Sequence, residues 1–185
     1  MARLFATASF PWWIAGGVAL ELAVGKTIRS HGDMDVLILR ADHLAVRERL
    51  AAWDCWAVDP PGSLRSWPVG ERLDSSVHDV WCRYARNDNW RVQLMIDERD
   101  VGEWVSRRDR RVRAPLDAIT RTTPTGIRYV APHLQLFYKA KNPRSKDVFD
   151  LEAVLASGID LNVAWLSQAI RSCYGVQHPW LERLI

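Results

Sequence analysis

Two aspartates separated by one residue, Asp33 and Asp35, are the side chains of this sequence best suited to chemistry. They stand at the start of an apolar run, residues 36–39, that predicts a strand, and alternate residues of a strand project from the same face. Two carboxylates aimed at one point need a cation between them, and such oxygen ligands suit Mg2+. The preceding glycine pair, Gly16–Gly17, begins a predicted helix, where a phosphate can approach the backbone. Together these residues predict metal-assisted phosphate chemistry.

The hydrophobic pattern predicts the elements that position these residues. A helix over residues 16–24, ended by Gly25, separates the glycines from the aspartates, and a strand follows over residues 34–39. Asp42 is a suitable cap for the next helix. The middle of the chain has the pattern of a β-meander, with strands predicted at residues 64–69, 76–84, 90–97, 119–122 and 127–130.

The last third of the chain changes to helical spacing. Pro132 suits the first turn of a helix, and apolar residues three and four apart predict three amphipathic helices, the last capped by Asp160. We therefore predict an α/β (α+β) fold over residues 1–130, with a mixed, largely antiparallel sheet flanked by helices. A helical C-terminal segment over residues 131–185 is expected to pack on it.

The bulk properties exclude few functions. A hydrophobic content of 48% can supply a core, and no apolar run approaches the ~18 residues of a membrane helix, so no membrane partner is expected. Cys55, Cys82 and Cys173 lack metal-type spacing, which favours reduced thiols and a cytoplasmic location. The net charge of +3 does not demand a nucleic-acid partner, and the one basic cluster lies at residues 107–113.

The blocks around these motifs resemble the nucleotidyltransferase superfamily, which includes DNA polymerase beta and antibiotic-modifying enzymes. In that superfamily a Gly-Gly or Gly-Ser turn and a helix precede Asp-x-Asp on the next strand, as Gly16–Gly17, Asp33 and Asp35 do here. Residues 129–141 and 144–151 resemble its helical region with a Lys followed by Lys-Asp-x-x-Asp. The sequence is most similar to the aminoglycoside 2''-adenylyltransferase branch.

The resemblance implies a nucleotidyltransferase fold and a role for each matching residue. Asp33 and Asp35 would bind Mg2+, two ions in all, bridging a nucleoside triphosphate, and the Gly16–Gly17 turn would hold its β- and γ-phosphates. An acceptor hydroxyl would attack the α-phosphorus in line and release pyrophosphate. Arg29 and Lys139 would bind the nucleotide, Lys139 as a movable point charge on the triphosphate.

The second helical block contains further charges at close spacing. Lys146 and Asp150 stand four residues apart, as in an ion pair on a helix surface. Asp147 is expected to brace the fold rather than to touch substrate.

Superfamily members carry a third carboxylate on a later strand, and its position here is ambiguous. Gln93, Met95 and Asp97 share one face of the predicted strand at residues 90–97. One register places Gln93 at the position, although an amide cannot take a proton, and another register places Asp97 there. Asp79 on the neighbouring strand is a third candidate, and Glu98 faces the other way. We predict Asp97 as the third metal ligand and catalytic carboxylate.

The resemblance implies Mg2+-dependent transfer of a nucleotidyl group, AMP from ATP, to a hydroxyl of a small molecule. An aminoglycoside is the acceptor by analogy, but a mildly basic chain is a poor match for a cationic acceptor. The candidates for an apolar pocket wall are Trp67, Trp81, Trp90 and Trp104. The alternatives are a toxin–antitoxin type nucleotidyltransferase that docks a protein or tRNA on residues 107–113, and a catalytically weak nucleotide-binding relative.

Overall fold

A computed structural model describes the backbone of residues 2–184 and the side chains of residues 4–184. In this part of the chain the helices are α1 (Ala2–Phe5), α2 (Gly16–Val24), α3 (His43–Arg49), α4 (Pro132–Lys139), α5 (Ser145–Ala156) and α6 (Val163–Tyr174). The strands are β1 (Trp12–Ile14), β2 (Met34–Leu39), β3 (Asp54–Val58), β4 (Leu64–Ser66), β5 (Asp79–Arg83), β6 (Val92–Asp100), β7 (Glu103–Val105), β8 (Arg113–Pro115), β9 (Thr120–Thr122) and β10 (Arg128–Val130). Short 3-10 helices lie at Arg40–Asp42 and Pro179–Arg183.

Within residues 2–184 the ten strands join one sheet. Its main order is β4-β3-β5-β6-β2-β1-β10-β9, and β7 pairs with β6 and with β8. Two neighbouring pairs, β1 with β10 and β2 with β6, are parallel, and the other pairs are antiparallel. The predicted fold class, with its mixed and largely antiparallel sheet, is confirmed.

The core lies around the central strand β2. Residues 36–39 of that strand are completely buried, and Ala19 and Leu20 of α2 are buried with them in the same cluster. The C-terminal helices join this core, because α4 packs against α2 and buries Leu134, Leu136 and Phe137. This packing fixes the start of α2, the start of β2 and the face of α4 relative to one another.

The predicted element boundaries hold best where a local signal marks them. Helix α2 begins at Gly16 and ends before Gly25, which has a φ of +77° as its C-cap. Asp42 stands at the N-cap position of α3 but makes no side-chain cap bond. The cap expected at Asp160 is wrong: Asn162 precedes α6 and accepts a hydrogen bond from the backbone of Trp165 at 3.1 Å.

The helical character of the last third of the chain is confirmed by α4, α5 and α6. Residues 1 and 185, which the predicted segments 1–130 and 131–185 include, lie outside the described residues. None of the helices described has the length and apolar character needed to cross a membrane.

Candidate active site

The aspartate pair lies at the mouth of a cleft between the start of β2 and the C-terminal helices. Strand β2 begins at Met34, so Asp35 is the second residue of the strand and Asp33 lies in the bend before it. The cleft has a volume of about 320 Å3 and brings together residues far apart in the sequence. Its lining comprises Gly17, Arg29, Ser30, His31, Gly32, Asp33, Asp35, Lys139, Arg144 and Lys146.

The glycine turn is packed directly against one of these carboxylates. Gly16 has a φ of +67°, and a Cβ atom at this position would lie 1.8 Å from Oδ2 of Asp35. The backbone N–H of Gly16 donates to Oε1 of Gln135 at 2.8 Å, and that of Ala15 donates to the carbonyl of Asp35 at 2.8 Å. Glycine is therefore required at position 16 for two reasons, its backbone conformation and the space that Asp35 occupies.

The first N–H groups of α2 have no partners within the helix, as at any helix N-terminus, and they favour an anion. Ala15 precedes the helix without a side-chain cap bond, and Gly17 of the first turn lines the cleft. A Cβ atom on Gly17 would lie 2.3 Å from the His31 ring and 2.4 Å from Nη2 of Arg29. The helix start therefore lies at the cleft in close contact with Arg29 and His31, which leaves no room for a side chain at position 17.

Asp35 is held in an electrostatically unfavourable environment. Burial, together with the charge of Asp33, raises the pKa of Asp35 to about 6, against the opposing effect of Lys139 and Lys146. A cation bound between the two carboxylates would offset both the burial and the repulsion.

The basic wall of the cleft is organised by two buried carboxylates of α5. Lys139, at the end of α4, places its Nζ 2.9 Å from both Asp147 and Asp150, and its side chain is 7% exposed. Arg29 forms a two-point contact with Asp150, at 3.0 and 3.1 Å. Arg144 contacts Asp147 at 2.7 Å, and these contacts hold the pKa of Asp147 well below its usual range despite burial. Both predicted nucleotide-binding side chains, Arg29 and Lys139, thus lie at the cleft, and both form ion pairs with carboxylates of α5.

Asp150 and Lys146 differ from the sequence prediction. The partners of Asp150 are Arg29 and Lys139, so the helix-surface ion pair between Lys146 and Asp150 is wrong. Lys146 instead lines the cleft and acts on the charge of Asp35. Its place in the Lys-Asp-x-x-Asp block was visible in the sequence, but the direction in which α5 faces was not.

The loop after α2 is fixed by a second set of polar contacts. Glu21 accepts hydrogen bonds from the backbone N–H groups of Ile28 and Arg29, at 2.8 and 3.0 Å. Its Oε1 also lies 3.0 Å from Nε2 of His31, while Nδ1 of His31 lies 3.2 Å from Arg29. Glu21, a residue of α2, therefore fixes the positions of Arg29 and His31 in the loop that follows the helix.

Of the three candidates for the third carboxylate position, Gln93 lies directly beside Asp35 in the sheet. Gln93 of β6 is the register partner of Asp35 on one side and of Trp81 on the other. Its Nε2 donates to Oδ1 of Asp79 at 2.9 Å, and Oδ2 of Asp79 lies 3.8 Å from Arg107. Asp79 also contributes to the raised pKa of Asp35, because the two carboxylates repel each other.

Asp97 is not brought to the aspartate pair. It is paired with Leu39 at the far end of β2, four residues or about 13 Å beyond Gln93 along the strand. Its carboxylate is buried and accepts hydrogen bonds from the indole of Trp104 and the hydroxyl of Tyr138. Burial raises the pKa of Asp97 despite these donors. The parallel register of β2 and β6 thus assigns Asp97 to the core, which corrects its prediction as a metal ligand.

The tryptophans expected to line a pocket fall into two groups. Trp67 and Trp104 are fully buried core residues. Trp81 and Trp90 are half-buried neighbours, with ring centroids 6.3 Å apart.

The fold is similar to that of solved antibiotic-modifying enzymes. The crystal structure of the lincosamide antibiotic adenylyltransferase LnuA with bound lincomycin has a TM-score of 0.58 at 13% identity, covering 84% of this chain and 92% of that chain. The solution structure of the antibiotic-resistance factor ANT(2'')-Ia has a TM-score of 0.55 at 16% identity, covering 98% and 90%. The crystal structure of ANT(2'')-Ia in complex with adenylyl-2''-tobramycin has a TM-score of 0.55 at 17% identity, covering 93% of each chain.

A search of curated proteins finds no significant match. The model of one protein family, described as aminoglycoside-2''-adenylyltransferase, matches residues 1–153. This span includes the glycine turn, both aspartates of the pair and the α4–α5 region that supplies Lys139, Asp147 and Asp150. The chain therefore belongs to the aminoglycoside-2''-adenylyltransferase family and is a nucleotidyltransferase.

Proposed function

We propose that the protein transfers AMP from ATP to a hydroxyl group of a small molecule, with Mg2+ as cofactor. The observation that carries this proposal is the placement of Asp33 and Asp35 in one cleft with the N-terminus of α2 and a basic wall. Carboxylates for a divalent ion and donors for phosphate oxygens thus meet at one place.

The donor set suits a metal ion that is held jointly by protein and substrate. No group of three or more His, Cys, Asp or Glu side chains that could hold a metal occurs among the described residues. Asp33 and Asp35 supply two carboxylates, and the raised pKa of Asp35 marks a charge that a cation would stabilise. The remaining ligands would come from triphosphate oxygens and water, as Mg2+ commonly allows. Bound there, Mg2+ would neutralise charge developing on the attacking and leaving oxygens.

The protein's own contribution is positioning. The backbone N–H groups of α2 from Gly17 onward and Lys146 of α5 would hold the phosphates, since the N–H of Gly16 already donates to Gln135. Arg29 and Lys139, held in place by Asp150, would present rigidly positioned N–H donors to the triphosphate. Because these cations are already paired, binding requires little rearrangement of the site.

Asp79 is our candidate for the group that accepts the proton of the acceptor hydroxyl. It lies on the strand next to Gln93, its side chain is 28% exposed, and the Gln93 amide orients it. A carboxylate that is partly open to solvent and held by a donor can take a proton from a substrate, whereas the amide at position 93 cannot. Asp79 replaces Asp97 in our assignment.

A release assay tests the proposed reaction. The protein is incubated with labelled triphosphates, Mg2+ and a panel of hydroxyl acceptors that includes aminoglycosides and lincosamides, and pyrophosphate is measured. We expect release that requires Mg2+ and acceptor and that falls at least ~100-fold in D33N and D35N, the size typical of losing an electrostatic catalytic contact. The matched control is D160N, because Asp160 is exposed and lies away from the cleft lining.

The other outcomes separate the alternatives. Tight nucleotide binding without release for any acceptor would favour the nucleotide-binding relative, for which Gln93 beside Asp35 is the structural argument. Labelling of RNA or protein would favour a macromolecular acceptor. The structure gives that reading little support, because Arg111 is paired with Asp109 and Arg113 with Asp100 and Glu103, which reduces the charge of the basic cluster.

A further inference from the structure

Three strands beside the aspartate pair leave one face of the sheet partly open. Half-buried and fully buried residues alternate along β3 and β5, and along the first half of β6. The fully buried set, on the opposite face, comprises Cys55, Ala57, Val80, Cys82, Val92 and Leu94. The half-buried set on the partly open face includes Trp56, Asp79, Trp81, Gln93 and Met95. We call this set the open face.

The open face is continuous with the reactive carboxylate. Trp56 pairs with Trp81, Trp81 pairs with Gln93, and Gln93 pairs with Asp35. These four residues form one row across four adjacent strands, and paired residues of a sheet project to the same side. With strands about 4.8 Å apart, Trp81 lies about 10 Å and Trp56 about 14 Å from Asp35 along the row. The row leads away from Asp35 on the side opposite β1.

The indole rings on this row are held in place by neighbouring polar groups. The indole N–H of Trp56 donates to Oδ1 of Asp54 at 2.7 Å, and Arg83 binds Oδ2 of the same carboxylate at 2.8 Å. The guanidinium carbon of Arg83 lies 4.3 Å from the centre of the Trp90 ring, which in turn contacts Trp81. Rigid aromatic surfaces bind apolar ring faces at low entropic cost.

The charges of the open face are balanced. Asp54 is neutralised by Arg83, and Asp79 is bound by Gln93 and approached by Arg107 at 3.8 Å. A ligand with several positive charges would need carboxylates free to receive it. The face instead suits a molecule that contributes apolar rings and few charges.

We propose that the open face is the acceptor-binding surface, and that the acceptor is a hydroxyl-bearing ring compound with an apolar face and at most one positive charge. The description of this ligand as the acceptor rests on the transfer reaction proposed above. The nucleotide occupies the basic cleft on one side of Asp35, and the acceptor approaches along Gln93, Trp81 and Trp56 from the other side. Asp79, on the same face, then lies beside the incoming hydroxyl.

Calorimetric titration without nucleotide or Mg2+ tests the surface directly. The probes are lincomycin, which carries one basic amine, and tobramycin, which carries several. We expect saturable lincomycin binding that weakens at least ~10-fold in W56A and in W81A, and much weaker binding of tobramycin. Because Trp81 packs on Trp90, W81L is included as a variant that keeps apolar bulk but loses the flat ring, and unfolding midpoints are measured for all variants.

The matched control is W53A. Trp53 is also half-buried but packs on Tyr84, with ring centroids 4.3 Å apart, outside the row that leads to Asp35. Unchanged lincomycin affinity in folded W56A and W81L, tighter binding of tobramycin than of lincomycin, or no saturable binding of either probe would each overturn the proposal.

Kinetics distinguish a failure here from a failure of the proposed reaction. If transfer occurs, the tryptophan variants should raise the KM for the acceptor and leave the KM for ATP unchanged. Probe binding without any transfer would support the open face as a binding surface and refute the proposed reaction. Transfer that is unaffected by W56A and W81L would refute only the assignment of the open face as the acceptor-binding surface.

Discussion

At the scale of single residues, the site depends on the lack of a side chain at Gly16. Gly16 combines a φ of +67° with a location in which any Cβ would overlap the carboxylate of Asp35. Gly25, at the other end of the same helix, also has a positive φ, +77°, but no atom of the described residues would lie within 4 Å of a Cβ there. The two glycines therefore separate backbone strain from steric displacement of Asp35.

Replacing each glycine by alanine tests this distinction. G25A should lose about 1–2 kcal/mol of unfolding free energy, because a left-handed backbone disfavours a side chain, and should keep its pyrophosphate release. G16A should lose more stability than G25A, because the overlap with Asp35 adds to the backbone strain, and in addition ~100-fold of activity, because Asp35 must move by an ångström or more. Denaturant unfolding and the release assay measure both quantities. Equal activity of the two variants would show that Asp35 has no precise role.

At the scale of elements, α5 acts as a brace for the basic wall. Asp150, only 1% exposed, contacts Arg29 from the loop after α2 and Lys139 from the end of α4. One carboxylate thus connects three parts of the chain. Removing it leaves the partly buried Arg29 without its carboxylate and Lys139 with Asp147 alone, which is more costly than the loss of the ion pairs themselves.

Substitutions on α5 measure the strength of this brace. D150A should lower the unfolding free energy by about 3–5 kcal/mol, the range for breaking a buried ion pair. E152A on the same helix should cost about 0–1 kcal/mol, because the Glu152–Arg183 pair is about half exposed on both sides. Chemical denaturation of the two variants compares them. A D150A variant as stable as E152A would mean that α5 does not hold the cleft together.

Local signals explain which elements the sequence predicted. Gly25 ends α2, and Pro132 begins α4, because each residue carries its conformational preference within a few positions. Strands β1, β3, β7 and β8 are not predicted: β1, β7 and β8 have only three residues each, and all four are held by pairing with other strands, which a short local pattern does not show. Asp97 was misassigned for the same reason: its location depends on the register between β2 and β6, and no residue within either strand encodes that register.

At the scale of the whole molecule, one buried histidine links stability to pH. His133 on α4 packs edge-on against Trp165, with centroids 5.1 Å apart, and its Nδ1 has no hydrogen-bond partner among the described residues. Burial, assisted by the charge of Arg121, lowers the pKa of His133 to about 4. The imidazole is therefore neutral in the folded protein at pH values where an unfolded chain already binds a proton.

The sign of the pH effect follows from this difference. Below the ordinary histidine pKa of about 6.5 the unfolded state takes up more protons, so this contribution to stability is complete above pH 6.5 and is lost as the pH falls toward 4. Between pH 7.5 and 5 the wild-type protein should lose about 2 kcal/mol more unfolding free energy than H133L. Parallel urea titrations at the two pH values measure the difference. Identical pH slopes would show that folding does not lower the pKa of His133.

The hydrogen bond from Gly16 to Gln135 joins residues 119 positions apart. The site therefore depends on two separate parts of the coding sequence, which recombination can exchange independently. The turn beside Asp35 is held by a side chain of helix α4, far along the chain. A recombination event near residue 130 would exchange Gln135, Lys139 and α5 as one unit, while keeping the resident aspartates and the open face. On the proposed assignment of the two surfaces, such exchanges would alter nucleotide binding without changing acceptor recognition, so the two properties could diversify separately.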